Sequence, residues 1–136
     1  MKDKVLVLGG GKTGVYASKV LLMKNFYVIL YDDNKEYDAT LLRKEIPADI
    51  DFKISLGDIS DRELKECKFC VISPGFPKFK EIVTKVNDYS IPMIGELELG
   101  YLAAKGNMCA VTGTNGKTTV VKLVGEILKK HYIDVH

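Results

Sequence analysis

Four short runs along the chain are almost wholly apolar: Val5-Leu6-Val7-Leu8, Tyr27-Val28-Ile29-Leu30-Tyr31, Phe69-Cys70-Val71-Ile72 and Met108-Cys109-Ala110-Val111. Unbroken apolar character, rather than alternation with polar residues, is what a strand covered on both faces requires, and it predicts a parallel sheet. Weaker strand signals lie at residues 52–56 and 92–94, the latter opened by a proline that the first residue of a strand tolerates. Helical periodicity fills the gaps. Ala17, Val20 and Leu21 share a face after Gly14. Ser60 and Glu63 have the spacing of a capping box. Residues 79–88 place Ile82, Val83 and Val86 together, and residues 96–104 carry Leu99, Leu102 and Ala103. Residues 117–131 carry Val120, Leu123, Val124, Ile127 and Leu128, the cleanest amphipathic pattern in the chain. Strands alternating with helices predict right-handed crossovers and an α/β fold: a Rossmann-like, doubly wound parallel sheet with flanking helices.

No Pro/Gly-rich linker and no internal repeat interrupts this pattern. The softest point lies at Ile94-Gly95, so the expected domains are residues 1–95 and residues 96–136. The second would be only the first strand, loop and helix of another α/β unit. One strand and one helix cannot bury each other's apolar faces, which leads us to expect the front part of a longer protein.

Composition narrows the class. Of the 136 residues 46% are apolar and 28% charged, which excludes a disordered or collagen-like chain. Twenty basic side chains against eighteen acidic ones leave +2, with no block of either sign. That is no footprint for nucleic acid or an anionic membrane. The apolar runs fall far short of the roughly 20 residues that span a bilayer, and Lys12 and the glycines before it end the first run too early for a signal peptide. Three cysteines cannot all pair, so a reduced, cytoplasmic location is expected, and no protein partner is indicated. Cys67 and Cys70 spell C-x-x-C without a second pair or nearby histidines to complete a zinc site. Cys70 and Cys109 read as small buried hydrophobes. His131 and His136 read as solvated. Glu96 and Glu98 stand at i, i+2 and do not face each other on a helix, so they read as solvated or capping.

Two glycine-rich loops, about one hundred residues apart, carry the chemistry. The first, Gly9-Gly10-Gly11-Lys12-Thr13-Gly14, matches G-x-G-x-x-G between a buried strand and a helix. Its first glycine allows a tight turn, its second lets a ligand approach the backbone, and its third lets helix and strand pack closely. The helix mouth then offers free N–H groups to an anion. Asp32-Asp33 ends the next strand about twenty residues on, where a ribose hydroxyl or a base edge is read. The second loop is Thr112-Gly113-Thr114-Asn115-Gly116-Lys117-Thr118-Thr119. Its G-K-T matches a P-loop, although Val111 stands where the first glycine of the strict pattern would be. Successive N–H groups cradle phosphates, Lys117 neutralises them and the Thr118 hydroxyl can ligate Mg²⁺. Four or five strands separate the loops, too few for a complete dinucleotide fold before the second. The first loop is therefore expected to hold the diphosphate of a nucleotide-bearing substrate rather than NAD, and the second ATP or GTP.

The variant T-G-T-N-G-K-T-T behind a small G-x-G-x-x-G domain resembles the ATP-dependent Mur ligases of peptidoglycan synthesis, in particular those that add D-glutamate. The resemblance covers the whole chain, through G-G-G-K-T-G, Asp32, Ser73-Pro74-Gly75, Gly95-Glu96-Leu97-Glu98-Leu99 and the P-loop. It implies that Lys12, Thr13 and Gly14 meet the diphosphate of UDP-N-acetylmuramoyl-L-alanine, that Asp32 hydrogen-bonds the uracil, and that Ser73, Pro74 and Gly75 line the same site. It also implies that Gly113, Thr114, Asn115, Gly116, Lys117, Thr118 and Thr119 bind ATP, with Lys117 and Thr118 catalytic and Thr118 on Mg²⁺. The family often has a basic residue where Asn34 stands, so one charge contact is absent or supplied elsewhere. The implied reaction has ATP phosphorylate a carboxylate, after which the amine of D-glutamate attacks the acyl phosphate. Phosphate leaves where oxide cannot, and the P-loop contributes position and charge. Two other readings are an NAD-binding regulatory domain and a related ligase for a different amino acid, or a folylpolyglutamate synthetase. The P-loop argues against the first of these, and a separate N-terminal domain against the synthetase.

Overall fold

The computed structural model describes residues 2–46, 51–133 and 135. His136, expected to be solvated, lies outside them. Its elements are β1 (Lys4–Leu8), α1 (Lys12–Met23), β2 (Tyr27–Asp32), α2 (Ala39–Glu45), β3 (Phe52–Leu56), α3 (Asp61–Lys65), β4 (Cys67–Ile72), α4 (Glu81–Asp88), β5 (Met93–Gly95), α5 (Glu96–Ala103) and α6 (Lys117–Leu128).

Strands β1–β5 form one parallel sheet in the order β3-β2-β1-β4-β5. Continuous apolar runs are explained by cover on both sides. Val5, Val7, Val28, Leu30 and Val71 face α1, α2 and α5 through Val15, Ala17, Leu21, Leu42 and Leu99. Leu6, Leu8, Ile29, Tyr31 and Cys70 face α3 and α4 through Leu64, Ile82, Val83 and Val86. Each such aliphatic side chain removed from water contributes about 1.5–3 kcal/mol, so these buried positions serve packing. Polar groups that act on a ligand have to come from the strand ends. Strand order reverses between β1 and β4, and the crevice outside the carboxyl ends at such a switch point is where α/β sheets take ligands.

Local chemistry sets the helix limits. Ser60 Oγ accepts from the Glu63 amide at 3.3 Å while Glu63 Oε2 accepts from the Ser60 amide, the reciprocal capping box expected for α3. Helix α2 was not among the expected elements. Its signal was the cap Asp38, which accepts from the Thr40 amide at 2.9 Å, and the i, i+4 pair Leu42 and Ile46, both buried.

The chain divides into two compact units, Met1–Ala103 and Ala104–His136. This division falls eight residues beyond residue 95, the expected end of the first domain. Leu99 is 7% exposed in the cluster shared with Val15 and Leu21, which keeps α5 with the sheet. In the second unit, Met108–Val111 was expected as a buried strand. No strand occurs among that unit's described residues, and Met108, Cys109 and Ala110 are exposed. A strand needs a neighbouring backbone to take its N–H and C=O groups, and within this unit the regular structure is α6 alone. Helix α6 has no buried residue; Leu123 and Ile127 are exposed on it.

Leu99→Ala is expected to destabilise the first unit by roughly 2–5 kcal/mol in urea unfolding of this chain. A change under about 0.5 kcal/mol, the size typical of surface substitutions, means that α5 does not belong to that core.

Candidate functional site: two helix mouths

The first glycine loop joins β1 to α1. Gly9 has φ +110°, a conformation that favours glycine. A Cβ placed on Gly14 would lie 1.8 Å from the Gly9 carbonyl oxygen, so a helix can start this close to the strand end only without a side chain there. A Cβ on Gly11 would meet nothing within 4 Å, so the middle glycine faces open space. Gly11 caps α1 without a side-chain hydrogen bond, and the first helical bond in this turn runs from the Val15 amide to the Gly11 carbonyl. The amides of Lys12, Thr13 and Gly14 precede it and point out of the helix mouth. This is the arrangement an anion needs: open backbone, several N–H groups and the positive end of a helix dipole.

The loop is held from β2. The Gly10 amide donates to Asp32 Oδ2 at 2.6 Å, the Asn34 amide to Asp32 Oδ1 at 2.9 Å, and the Tyr37 hydroxyl to the Gly10 carbonyl at 2.7 Å. Asp32, the residue expected at the ligand, is thus first a brace between the two strand ends. Its neighbour turns the other way. Asp33 Oδ1 accepts from the Tyr31 hydroxyl at 2.8 Å. The Lys80 ammonium lies 3.0 Å from Asp33 Oδ2, off hydrogen-bond alignment, so charge rather than a directed bond holds that buried oxygen. Burial, and next the bond to Asp33, push the Tyr31 hydroxyl pKa well up, which keeps it a neutral donor.

Ser73 continues β4 by donating its amide to the Leu8 carbonyl at 3.1 Å, and the turn through Pro74 and Gly75 closes with Phe76 N–H to Ser73 O at 2.9 Å. Pro74 and Gly75 are exposed. The Ser73 side chain is buried with its hydroxyl 3.4 Å from Thr13 Oγ1 and 2.5 Å from Glu96 Oε1. Lys12, Thr13, Gly14, Asp32 and Ser73 therefore gather at one carboxyl edge. So does Glu96, for which a solvated or capping role was expected. The available signal was its place directly after β5, since the other residues of the group all stand at or just past strand ends.

The second loop lies within the second unit. Gly113 has φ +151° and Gly116 φ +76°, and Gly116 caps α6 with no side-chain bond. Residues 112–119 are exposed. The Lys117 ammonium donates to the carbonyls of Gly113 at 2.5 Å and Thr114 at 3.3 Å, folded over the loop it closes. Thr118 is the second residue of α6, with its exposed side chain on the first turn. An exposed loop with two positive-φ glycines, a lysine over its own carbonyls and a helix mouth at its end fits a triphosphate and its cation.

The cysteines serve packing and surface. Cys67 and Cys70 are buried in β4, and burial pushes the Cys67 thiol up to about 11 and that of Cys70 higher still. Thiols raised this far are poor nucleophiles and poor metal ligands at neutral pH. Cys109, expected to be buried, is exposed because its strand does not form.

Comparisons with known proteins bear on the family and the fold. The family model described as "Mur ligase MurD-like, N-terminal domain" matches residues 3–95. A UDP-N-acetylmuramoylalanine–D-glutamate ligase of Lachnoclostridium phytofermentans is 42% identical over 132 residues, which cover 97% of this chain and 29% of the relative. The enzyme of that name from Caldicellulosiruptor saccharolyticus is 38% identical, again over 97% of this chain and 29% of the relative. Among solved structures, a pseudomurein peptide ligase type C from Methanothermus fervidus superposes with a TM-score of 0.61 at 26% identity, over 95% of this chain and 26% of that one. The chain thus spans about 29% of the length of the curated relatives it matches.

Gly14→Ala is expected to cost roughly 1–3 kcal/mol or more of stability, because the added methyl meets main chain rather than a movable side chain. Unfolding of this chain in urea measures it, and a neutral result contradicts the contact with Gly9.

Proposed function

The chain belongs to the Mur ligases through its MurD-like N-terminal domain, and on that premise we propose that the crevice at the carboxyl edge of the sheet holds the UDP moiety of UDP-N-acetylmuramoyl-L-alanine. The protein is then an ATP-dependent ligase of peptidoglycan precursor synthesis that joins D-glutamate to the substrate's terminal carboxylate by way of an acyl phosphate. The observation that carries this reading is the first glycine loop: a helix mouth open at Gly11 and pinned against the strand at Gly14, at the switch point of a parallel sheet. The names of the relatives support the same substrate and amino acid.

The roles follow from the groups present. Amides of Lys12, Thr13 and Gly14 receive the diphosphate, and the Lys12 ammonium adds charge at its exposed position. Asp32 braces the loop through one lone pair on each oxygen and keeps others for the N–H edge of uracil. Pro74 and Gly75 border the same crevice. In the second unit, Gly113, Thr114, Asn115, Gly116 and Thr119 frame a phosphate loop for ATP. Lys117 would turn from the loop carbonyls to phosphate oxygens, and the Thr118 hydroxyl would help hold Mg²⁺. The cation's contribution is to neutralise charge on the phosphates. Lys117 holds its charge beside the transferring group, which is electrostatic positioning rather than covalent participation. Among the described residues no helix is long and apolar enough to cross a membrane, and a cytoplasmic enzyme with small-molecule substrates fits the reading.

Calorimetric titration of this chain is expected to show binding of UDP-N-acetylmuramoyl-L-alanine and none of NADH. Binding of NADH without the uridine ligand reverses the assignment. In the whole ligase, Lys117→Ala is expected to lower turnover by about a hundredfold or more, on the scale of losing one preorganised charge contact, with uridine-ligand affinity unchanged. Near-normal turnover of that variant removes the phosphate-loop role.

A further inference from the structure

Three polar side chains stand in a row at the crevice, one from each of three neighbouring strand ends. Thr13 follows β1, Ser73 follows β4 and Glu96 follows β5, and these strands are adjacent in the sheet. Ser73 Oγ donates to Glu96 Oε1 at 2.5 Å and lies 3.4 Å from Thr13 Oγ1. An ionised carboxylate has no hydrogen to give, and a serine hydroxyl has one. Ser73 therefore commits its hydrogen to Glu96, and in the contact between the two hydroxyls Thr13 is the donor. Ser73 is 7% exposed and hemmed in: a Cβ on Gly9 would stand 3.2 Å from its Oγ and one on Gly14 3.5 Å. The Ser73 hydrogen ends on the carboxylate, and that of Thr13 turns toward the Ser73 oxygen. Toward the mouth of α1 the pair presents lone pairs only.

We propose that Glu96 is a positioning residue of the first cradle. By drawing the hydrogens of Ser73 and Thr13 inward, it keeps both hydroxyls from capturing phosphate oxygens and leaves the anion to the main-chain amides of the first turn of α1. This rests on the reading of the crevice as a diphosphate site. Turning Ser73 outward would deprive a half-buried carboxylate of its donor, and an acceptor left unmade at such a place is costly. A glutamine at position 96 reverses the logic. Its amide can donate to Ser73 Oγ, so the row of hydroxyls can turn and offer its hydrogens to the phosphate.

The test is calorimetric titration of this chain, Glu96→Gln, Ser73→Ala and the double variant with inorganic pyrophosphate and with UDP. Glu96→Gln is expected to bind both about fivefold more tightly, the worth of one net hydrogen bond. Adding Ser73→Ala is expected to cancel that gain, because the effect passes through the hydroxyl. A gain that persists without Ser73 reports simple removal of charge and overturns the proposal. Unchanged or weaker pyrophosphate binding by Glu96→Gln overturns it too, as does undetectable pyrophosphate binding by both chains. Pyrophosphate carries no uridine, so the comparison stands apart from the substrate assignment. UDP bound no better than pyrophosphate counts against the uridine site alone.

Discussion

The working edge of the sheet depends on one contact from which a methyl group is excluded. Helix α1 begins so close to the end of β1 that a Cβ on Gly14 would fall 1.8 Å from the Gly9 carbonyl oxygen. That proximity aims the helix mouth at the crevice instead of past it. It also places Thr13 within reach of Ser73 and brings the Gly10 amide against the carboxylate that ends β2. With any side chain at position 14 the helix would have to move outward, and the amide cradle, the Asp32 brace and the row of hydroxyls would lose their common geometry. The three glycines of the motif thus have different tasks. Gly9 takes a φ that other residues avoid, Gly11 leaves the ligand side open, and Gly14 permits the approach.

Covering a parallel sheet on both faces has a chemical consequence. In the central strand β1 the side chains are committed to packing: Leu6, Leu8, Val5 and Val7 are fully buried. Even the polar Tyr31 lies in the core with its hydroxyl returned to Asp33. Reactive or binding groups can then appear only where strands stop. Thr13, Asp32, Ser73 and Glu96 come from four different strand ends, and the sheet order sets which of them touch. Distances between them are short because parallel neighbours lie roughly 5 Å apart, so a single hydrogen bond bridges adjacent ends.

The second unit follows other rules. Its glycine-rich loop is determined locally, by two positive-φ glycines and a lysine that reaches the carbonyls three and four residues back. Nothing distant is needed for that shape. Its amphipathic helix, in contrast, has no buried residue on its apolar face, because one helix and a loop are too small to bury it.

Much of this was legible in the residues. Unbroken apolar runs announced buried parallel strands, the Ser60/Glu63 spacing announced the start of α3, and both glycine loops could be assigned to helix mouths because their chemistry is local. Three features were not legible. Helix α2 is short and charged, so its cap outweighed its periodicity. The Met108–Val111 run has the composition of a strand, but a strand exists only when another backbone pairs with it, and composition does not carry that information. Glu96 looked like one more charged residue near a helix start. Local sequence determines backbone conformation, capping and which face of an element is apolar, because those depend on neighbours a few residues away. Which strand ends become neighbours, and hence that a carboxylate 23 residues beyond Ser73 governs that serine's hydrogen, is decided only when the sheet closes and long-range pairing sets the distances.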